Sequence, residues 1–366
     1  MKNYVEMAMD FDSMSEKMPT NDNVDLIIKK IHTISNYYIG HKERIFSDIV
    51  KILNDNNVVS NTVLDLFSGS GAVSYGFKLL NKTVISNDLL KFCHINSFVF
   101  LDKNRTELTD SDKDFLFDPS LDTNIRGIVS QFYSDKFTRN ECVFLDNYFS
   151  RAMSFQDEYK RYYSIFSILQ YLIRKCFVGG RLYKKQIIAR MEHRIDHAMN
   201  CGHELQFHKY INWTKFSCDS NVNDISYNYD VFSCLDKLKN IDIDLCYIDP
   251  PYGGMQSDYA LMYEFCEDYV RNCRTRNDMD FIKKSNMFIG NNIDVYRRNF
   301  CDMVDRMSFI PTLLFSYNSS SWAKIDDIIE CIKVFRSDVK VKEITYSYGH
   351  RKSNSNKNIE YLILAR

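Results

Sequence analysis

The apolar positions of this 366-residue chain change period several times. From Val24 they recur at helical spacing, and Ile45, Phe46, Ile49, Val50 and Leu53 predict a helix over Ile45 to Leu53. Thr62 to Phe67 reads instead as a short buried strand. It leads into Ser68-Gly69-Ser70-Gly71-Ala72 and then an apolar helix, Val73 to Leu80, which together read as strand, glycine turn, helix. A second strand, Thr83 to Asn87, ends at Asp88. About 140 residues then pass without regular alternation of strand and helix; within them Ser164 to Ile173 predicts an apolar helix that breaks at Arg174 to Lys185. Strand character returns over Ile241 to Ile248, and Pro250 and Pro251 must stop it because neither carries an N–H. Pro311 to Asn318 is a further strand, followed by a helix from about Trp322 to Phe335. Val341 to Tyr348 and Ile359 to Ala365, joined by the polar segment Gly349 to Lys357, predict an antiparallel hairpin.

Short buried strands alternating with helices point to an α/β class, with a doubly wound, mostly parallel, Rossmann-like sheet interrupted by a largely helical insertion. The expected boundaries are an N-terminal extension over 1–23, a catalytic domain over 24–99 and 226–366, and an inserted recognition domain over 100–225. Candidate chemistry gathers at strand ends. Glycines at 69 and 71 let backbone approach a ligand closely, and an acid such as Asp88 at the tip of the second strand sits where a ribose diol is gripped. The third glycine of the dinucleotide fingerprint is missing, which argues against NAD. At the end of Ile241 to Ile248, the Asp249 carboxylate and the Pro250 carbonyl are two acceptors facing one point. Pro251 holds Tyr252 beside them as a flat stacking surface, an arrangement that suits an exocyclic amine on an aromatic base.

Charge narrows the choice of partner. The formal net charge is only -1, so nucleic-acid binding must come from a local patch. One exists: from Arg174 to Arg194 there are seven Lys or Arg, including Arg174, Lys175, Arg181, Lys184 and Lys185, against the single acid Glu192. Interleaved with Phe177 and Tyr183, this run reads as a phosphate-contacting surface. Eleven scattered cysteines without a Cys-x-x-Cys pair suggest reduced, intracellular thiols. No apolar run approaches membrane-spanning length and no secretory leader precedes the chain, so a cytoplasmic location is expected. His193, His197 and Cys201 sit at i, i+4 and i+8 with His203 just beyond, a spacing that matches no common zinc module, and no metal is expected there.

Asp249-Pro250-Pro251-Tyr252 resembles the catalytic motif of S-adenosylmethionine-dependent amino-methylating DNA methyltransferases. Asp65-Leu-Phe67-Ser-Gly69-Ser-Gly71 with Asp88 resembles the cofactor motifs of the same family, and the order of motifs along the chain is similar to that of the Dam-like, alpha-group N6-adenine enzymes. The resemblance implies S-adenosyl-L-methionine as cofactor, bound by Tyr38 and Lys42 at its methionine end, by Asp65, Phe67, Gly69, Gly71 and Asp88, and by Asp230 beneath its adenine. Asp230 reads equally as the N-cap of the following helix. The implied substrate is double-stranded DNA, with a cognate restriction endonuclease as an implied partner. Asp in the first motif position favours adenine N6 over cytosine N4. N4-cytosine methylation and a non-catalytic DNA-binding subunit of the same fold stand as alternatives, and the absence of a Pro-Cys pair excludes a cytosine-C5 enzyme.

Overall fold

The structure, a computed structural model, describes residues 21–34, 42–123, 126–178, 181–182, 207, 211, 213, 223–253, 258–289, 292–346 and 358–366. A seven-stranded sheet runs in the order β5-β2-β1-β6-β7-β9-β8. Its strands are β1 Thr62–Asp65, β2 Thr83–Asn87, β5 Ile225–Tyr227, β6 Leu245–Ile248, β7 Thr312–Asn318, β8 Val339–Tyr346 and β9 Asn358–Ala365, while β3 Phe177–Val178 and β4 Arg181–Leu182 form a separate two-stranded ribbon. The five strands from β5 to β7 are parallel; β9 is antiparallel to β7 and to β8. The α/β expectation and the final hairpin therefore hold, with the hairpin entering the sheet through β9 and leaving β8 at its edge.

The near-continuous burial of β1, β6 and β7 makes sense because helices cover both faces of the sheet. On one face lie Asn21–Ile34, Phe46–Asp55, Ala72–Leu79 and Lys91–Leu101. Their core, with Phe46, Phe77 and Phe100 at its centre, continues without a break into Arg139–Ser154 and Glu158–Cys176. On the other face Val231–Leu238, Ile293–Arg306 and Ile325–Phe335 bury Leu235, Phe300 and Ile332 against Leu64, Cys246 and Phe315.

Three readings of the sequence change. The helix expected to break at Arg174 continues to Cys176, because Asp157 caps its start and its buried stripe runs on through Ile173 and Cys176. Arg174 and Lys175 thus belong to its last turn, and the chain then turns through β3 and β4. Cys301 and Cys331 depart from the reading of uniformly reduced thiols: they lie on Ile293–Arg306 and Ile325–Phe335, and a disulfide joins them with Cα atoms 5.7 Å apart. The strand expected from Ile241 begins only at Leu245, since Asp244 turns back to accept from the Asn61 and Thr62 amides at 2.7 and 2.9 Å. Among the described residues no helix is long and apolar enough to cross a membrane. His193, His197, Cys201 and His203 lie outside the described residues.

Candidate active site

A cleft opens where β1, β2 and β6 end, with Phe67, Gly69, Asp88, Asp230, Asp249, Pro250 and Pro251 among the residues lining it. The sheet order alone brings these distant segments together, because parallel neighbours point their carboxyl ends the same way. At the glycine corner Gly69 and Gly71 take φ of 50° and 78°, the left-handed region that L side chains resist. A Cβ at Gly71 would also lie 2.8 Å from the Phe100 ring. The Gly69 amide donates to Asp88 Oδ2 and the Leu90 amide to Asp88 Oδ1, each at 2.8 Å. Burial pushes the Asp88 carboxyl up to about 7, against those two backbone hydrogen bonds.

Asp65 lies at the end of β1, fully buried. Ser74 donates to its Oδ2 at 2.6 Å, whereas Oδ1 has no hydrogen-bond partner. Burial raises this carboxyl to about 7, the Ser74 hydrogen bond opposes the rise, and the nearby charges of Asp249 and Asp88 add to it. A buried carboxylate with an orphaned oxygen, next to a backbone corner lacking Cβ atoms, suits a cationic, nucleotide-like ligand. Asp230 does cap its helix, accepting from the Ser233 amide at 3.0 Å, and it still lines the cleft with Lys284 3.7 Å away. The opposite wall, Lys284 to Ile289, gave no signal in the sequence. Its Phe288 meets Phe67 edge-on at 5.8 Å.

Asp249 leaves β6 into a network that sequence motifs did not foreshadow. Tyr252 Oη donates to Asp249 Oδ1 at 2.6 Å, and Lys42 Nζ donates to Tyr252 Oη at 2.6 Å. Lys42 also lies 3.2 Å from both Asp249 Oδ1 and Glu360 Oε1. Beneath it, Ser316 donates to Glu360 Oε1 and Asn318 to Oε2. Burial pushes Asp249 up to about 6; Lys42 pulls it down and the Glu360 charge adds to the rise. For Glu360 burial also pushes upward, but Lys42, Ser316 and Asn318 together outweigh it and hold the carboxyl below its ordinary value. The Tyr252 ring packs edge-on against Tyr317 at 5.4 Å.

Of the expected site residues, Asp65, Phe67, Gly69, Gly71, Asp88, Asp230, Asp249, Pro250, Pro251 and Tyr252 gather at or behind this one cleft. Lys42 joins them through the Asp249 carboxylate. Tyr38, Lys184 and Lys185 lie outside the described residues. Lys175 and Arg181 are exposed, with Arg174 half-buried on the turn before them. Their ribbon is tied toward the cleft through Phe177, whose ring stacks 6.2 Å from Tyr263, just after the cleft-lining Tyr259 and Ala260. Glu360, Ser316 and Asn318 were missed. The available signal was an acid inside an otherwise apolar strand, Ile359-Glu-Tyr-Leu-Ile-Leu-Ala365, where an unpaired charge is costly.

Comparison with known proteins gives this geometry a lineage. The chain is 26% identical over 346 residues to the Type II methyltransferase M2.HphI of Haemophilus parahaemolyticus, an alignment covering 89% of this chain and 96% of that protein. It is 25% identical to the modification methylase StsI of Streptococcus sanguinis and 22% identical to the modification methylase LlaI of Lactococcus lactis subsp. lactis, covering 89% and 87% of this chain. It spans about half the length of these last two, 51% and 52%. No solved structure matches it. Residues 38–287, which run from the segment before Lys42 through the glycine corner and the Asp249 cleft, match the family signature, and the chain belongs to the D12 class N6 adenine-specific DNA methyltransferases.

Proposed function

We propose that the chain moves a methyl group from S-adenosyl-L-methionine to the N6 amine of an adenine turned out of double-stranded DNA, with Asp249 and the Pro250 carbonyl as the groups that hold the amine. The observation that carries this reading is that the Asp249 end of β6 and the glycine corner of β1 open into the same cleft. When bound there, S-adenosylmethionine supplies a methyl group activated by the sulfonium to which it is attached. Asp65 Oδ1 would meet the positive charge of its methionine end, and Asp88 and Asp230 its ribose and adenine. Duplex DNA buries the amine in the stack, so the base must be extruded to reach the cleft.

Asp249 Oδ1 is anchored by Tyr252 and Lys42, which leaves Oδ2 with no protein partner among the described residues. Oδ2 and the Pro250 carbonyl would accept the two amine N–H groups and concentrate the nitrogen lone pair on the far side. Positioning of this kind carries most of the acceleration when the leaving group is already good. Family membership supports adenine over the N4-cytosine alternative. The basic turn of Arg174, Lys175 and Arg181 would contact phosphates, with Lys184 and Lys185 extending it.

Two relatives are named modification methylases, which supports a role in protecting sites from a cognate restriction endonuclease. The enzyme would work in the cytoplasm beside the DNA it modifies. The direct test is incubation with tritiated S-adenosylmethionine and unmethylated DNA, followed by nucleoside analysis. Label is expected in N6-methyladenine for the wild type and to fall at least about a thousandfold in Asp249→Ala, with cofactor binding retained. Label in N4-methylcytosine, or none with any DNA, would overturn the reading.

A further inference from the structure

The Lys42 ammonium stands 3.2 Å from each of two carboxylates, Asp249 on the cleft and Glu360 behind it. An ammonium committed to Asp249 alone would consume that carboxylate in an ion pair and weaken it as an acceptor for an incoming amine. Glu360 is fully buried on β9, directly opposite Asn318 of β7, and it is fastened there by Ser316 and Asn318. A buried carboxylate held by three neutral donors, Ser316, Asn318 and Tyr252 Oη at 3.1 Å, and by one cation is stable only if it keeps its charge and its partner. Its place in the network is to share the Lys42 charge.

We propose that Glu360 is a positioning residue for methyl transfer, which draws the Lys42 ammonium partly off Asp249 so that the Asp249 carboxylate remains a strong acceptor for the target amine. The inference rests on the reading of Asp249 given above. It concerns charge balance. The groups facing Asp249 are Lys42 from the segment before Phe46–Asp55, Tyr252 on its own loop, Glu360 from β9 and Asp65 from β1, with the phenols of Tyr247 on β6 and Tyr296 on Ile293–Arg306 beyond them. Lys42 is the cation among these named groups, so how it divides between the two carboxylates sets how basic Asp249 is. In the transfer itself the amine nitrogen bonds to the methyl carbon, the carbon–sulfur bond breaks with its electron pair passing to sulfur, and one amine proton leaves toward Asp249 Oδ2 and then to water.

The experiment titrates Asp249 in the ligand-free protein by carboxyl carbon NMR, assigned with Asp249→Asn, and measures methylation rates across pH. In Glu360→Gln the Asp249 titration is expected to move down by about one pH unit. The value of kcat is expected to fall at least about tenfold, with KM for DNA and for S-adenosylmethionine within about threefold of wild type. The double variant Lys42→Met/Glu360→Gln removes a buried cation and a buried anion together, leaves Asp249 held by Tyr252, and guards against misfolding of the single variant. Its Asp249 is expected to titrate above that of wild type, since the pull of Lys42 exceeds the push of Glu360. An unmoved Asp249 titration in Glu360→Gln, a loss carried by KM alone, or a double variant titrating below wild type would overturn the inference. Wild-type protein that makes no N6-methyladenine at any pH would overturn the underlying reading instead.

Discussion

Asp65 shows at the residue scale how a group in the candidate site is kept at the expense of stability. Its carboxyl is buried, half-satisfied by Ser74 and raised to about 7, so ionising it near neutral pH weakens the fold. The raised value fixes the sign: the contribution of this group is fully present below the ordinary carboxylate range and is lost as pH rises through about 7. Asp65→Asn is therefore expected to be more stable than wild type at pH about 8, by on the order of 1 kcal/mol or more, with the gap narrowing as pH falls and closing only by pH about 4. Melting temperatures of both proteins at the two values check it, and equal gaps would refute it. The same variant is expected to bind S-adenosylmethionine at least about tenfold more weakly by calorimetry, because the amide cannot offer a charge. That Asp65 belongs to the candidate site was legible in Asp65-Leu-Phe-Ser-Gly-Ser-Gly71, a local motif. That one oxygen is orphaned was not, since Ser74 reaches the other from the following helix.

Elements carry the geometry that residues need. The corner between β1 and Ala72–Leu79 works only because Gly71 turns at positive φ against the Phe100 ring of a helix two elements later. Gly71→Ala combines backbone strain with that close contact and is expected to cost about 1–3 kcal/mol, measured by urea unfolding with an unchanged slope. At the other end of the cleft Asp230 both caps Val231–Leu238 and lines the cleft. Asp230→Ala is expected to lose about 1 kcal/mol of stability from the cap and to weaken cofactor binding together with it; loss of stability with unchanged binding would leave Asp230 a cap alone. Both corners were readable in the sequence because turn glycines and helix caps are local chemistry. The final turn of Glu158–Cys176 was misread at Arg174 because a basic, polar stretch resembles a helix end until tertiary burial of Cys176 extends it.

At the scale of the whole molecule, a formal charge of -1 gives no long-range attraction to DNA, so binding must be built locally. Lys175 and Arg181, at the turn between Glu158–Cys176 and β4, are expected each to contribute about one unit to the slope of log affinity against log salt. Single alanine variants should lower that slope and weaken all sequences alike, while a change confined to one sequence would assign them base contacts. Sequence by itself determined the class of fold, the glycine corner, the stop at Asp249 and the family resemblance, because each is written in residues adjacent along the chain, where backbone preference and hydrophobic period act directly. Tertiary structure alone decided what surrounds Asp249. Lys42, Ser316, Asn318 and Glu360 come from three segments spread over most of the chain, and only the insertion of β9 beside β7, with Asn318 opposite Glu360, brings their charges within reach of one carboxylate. Strand register places side chains without leaving a pattern between the segments it joins.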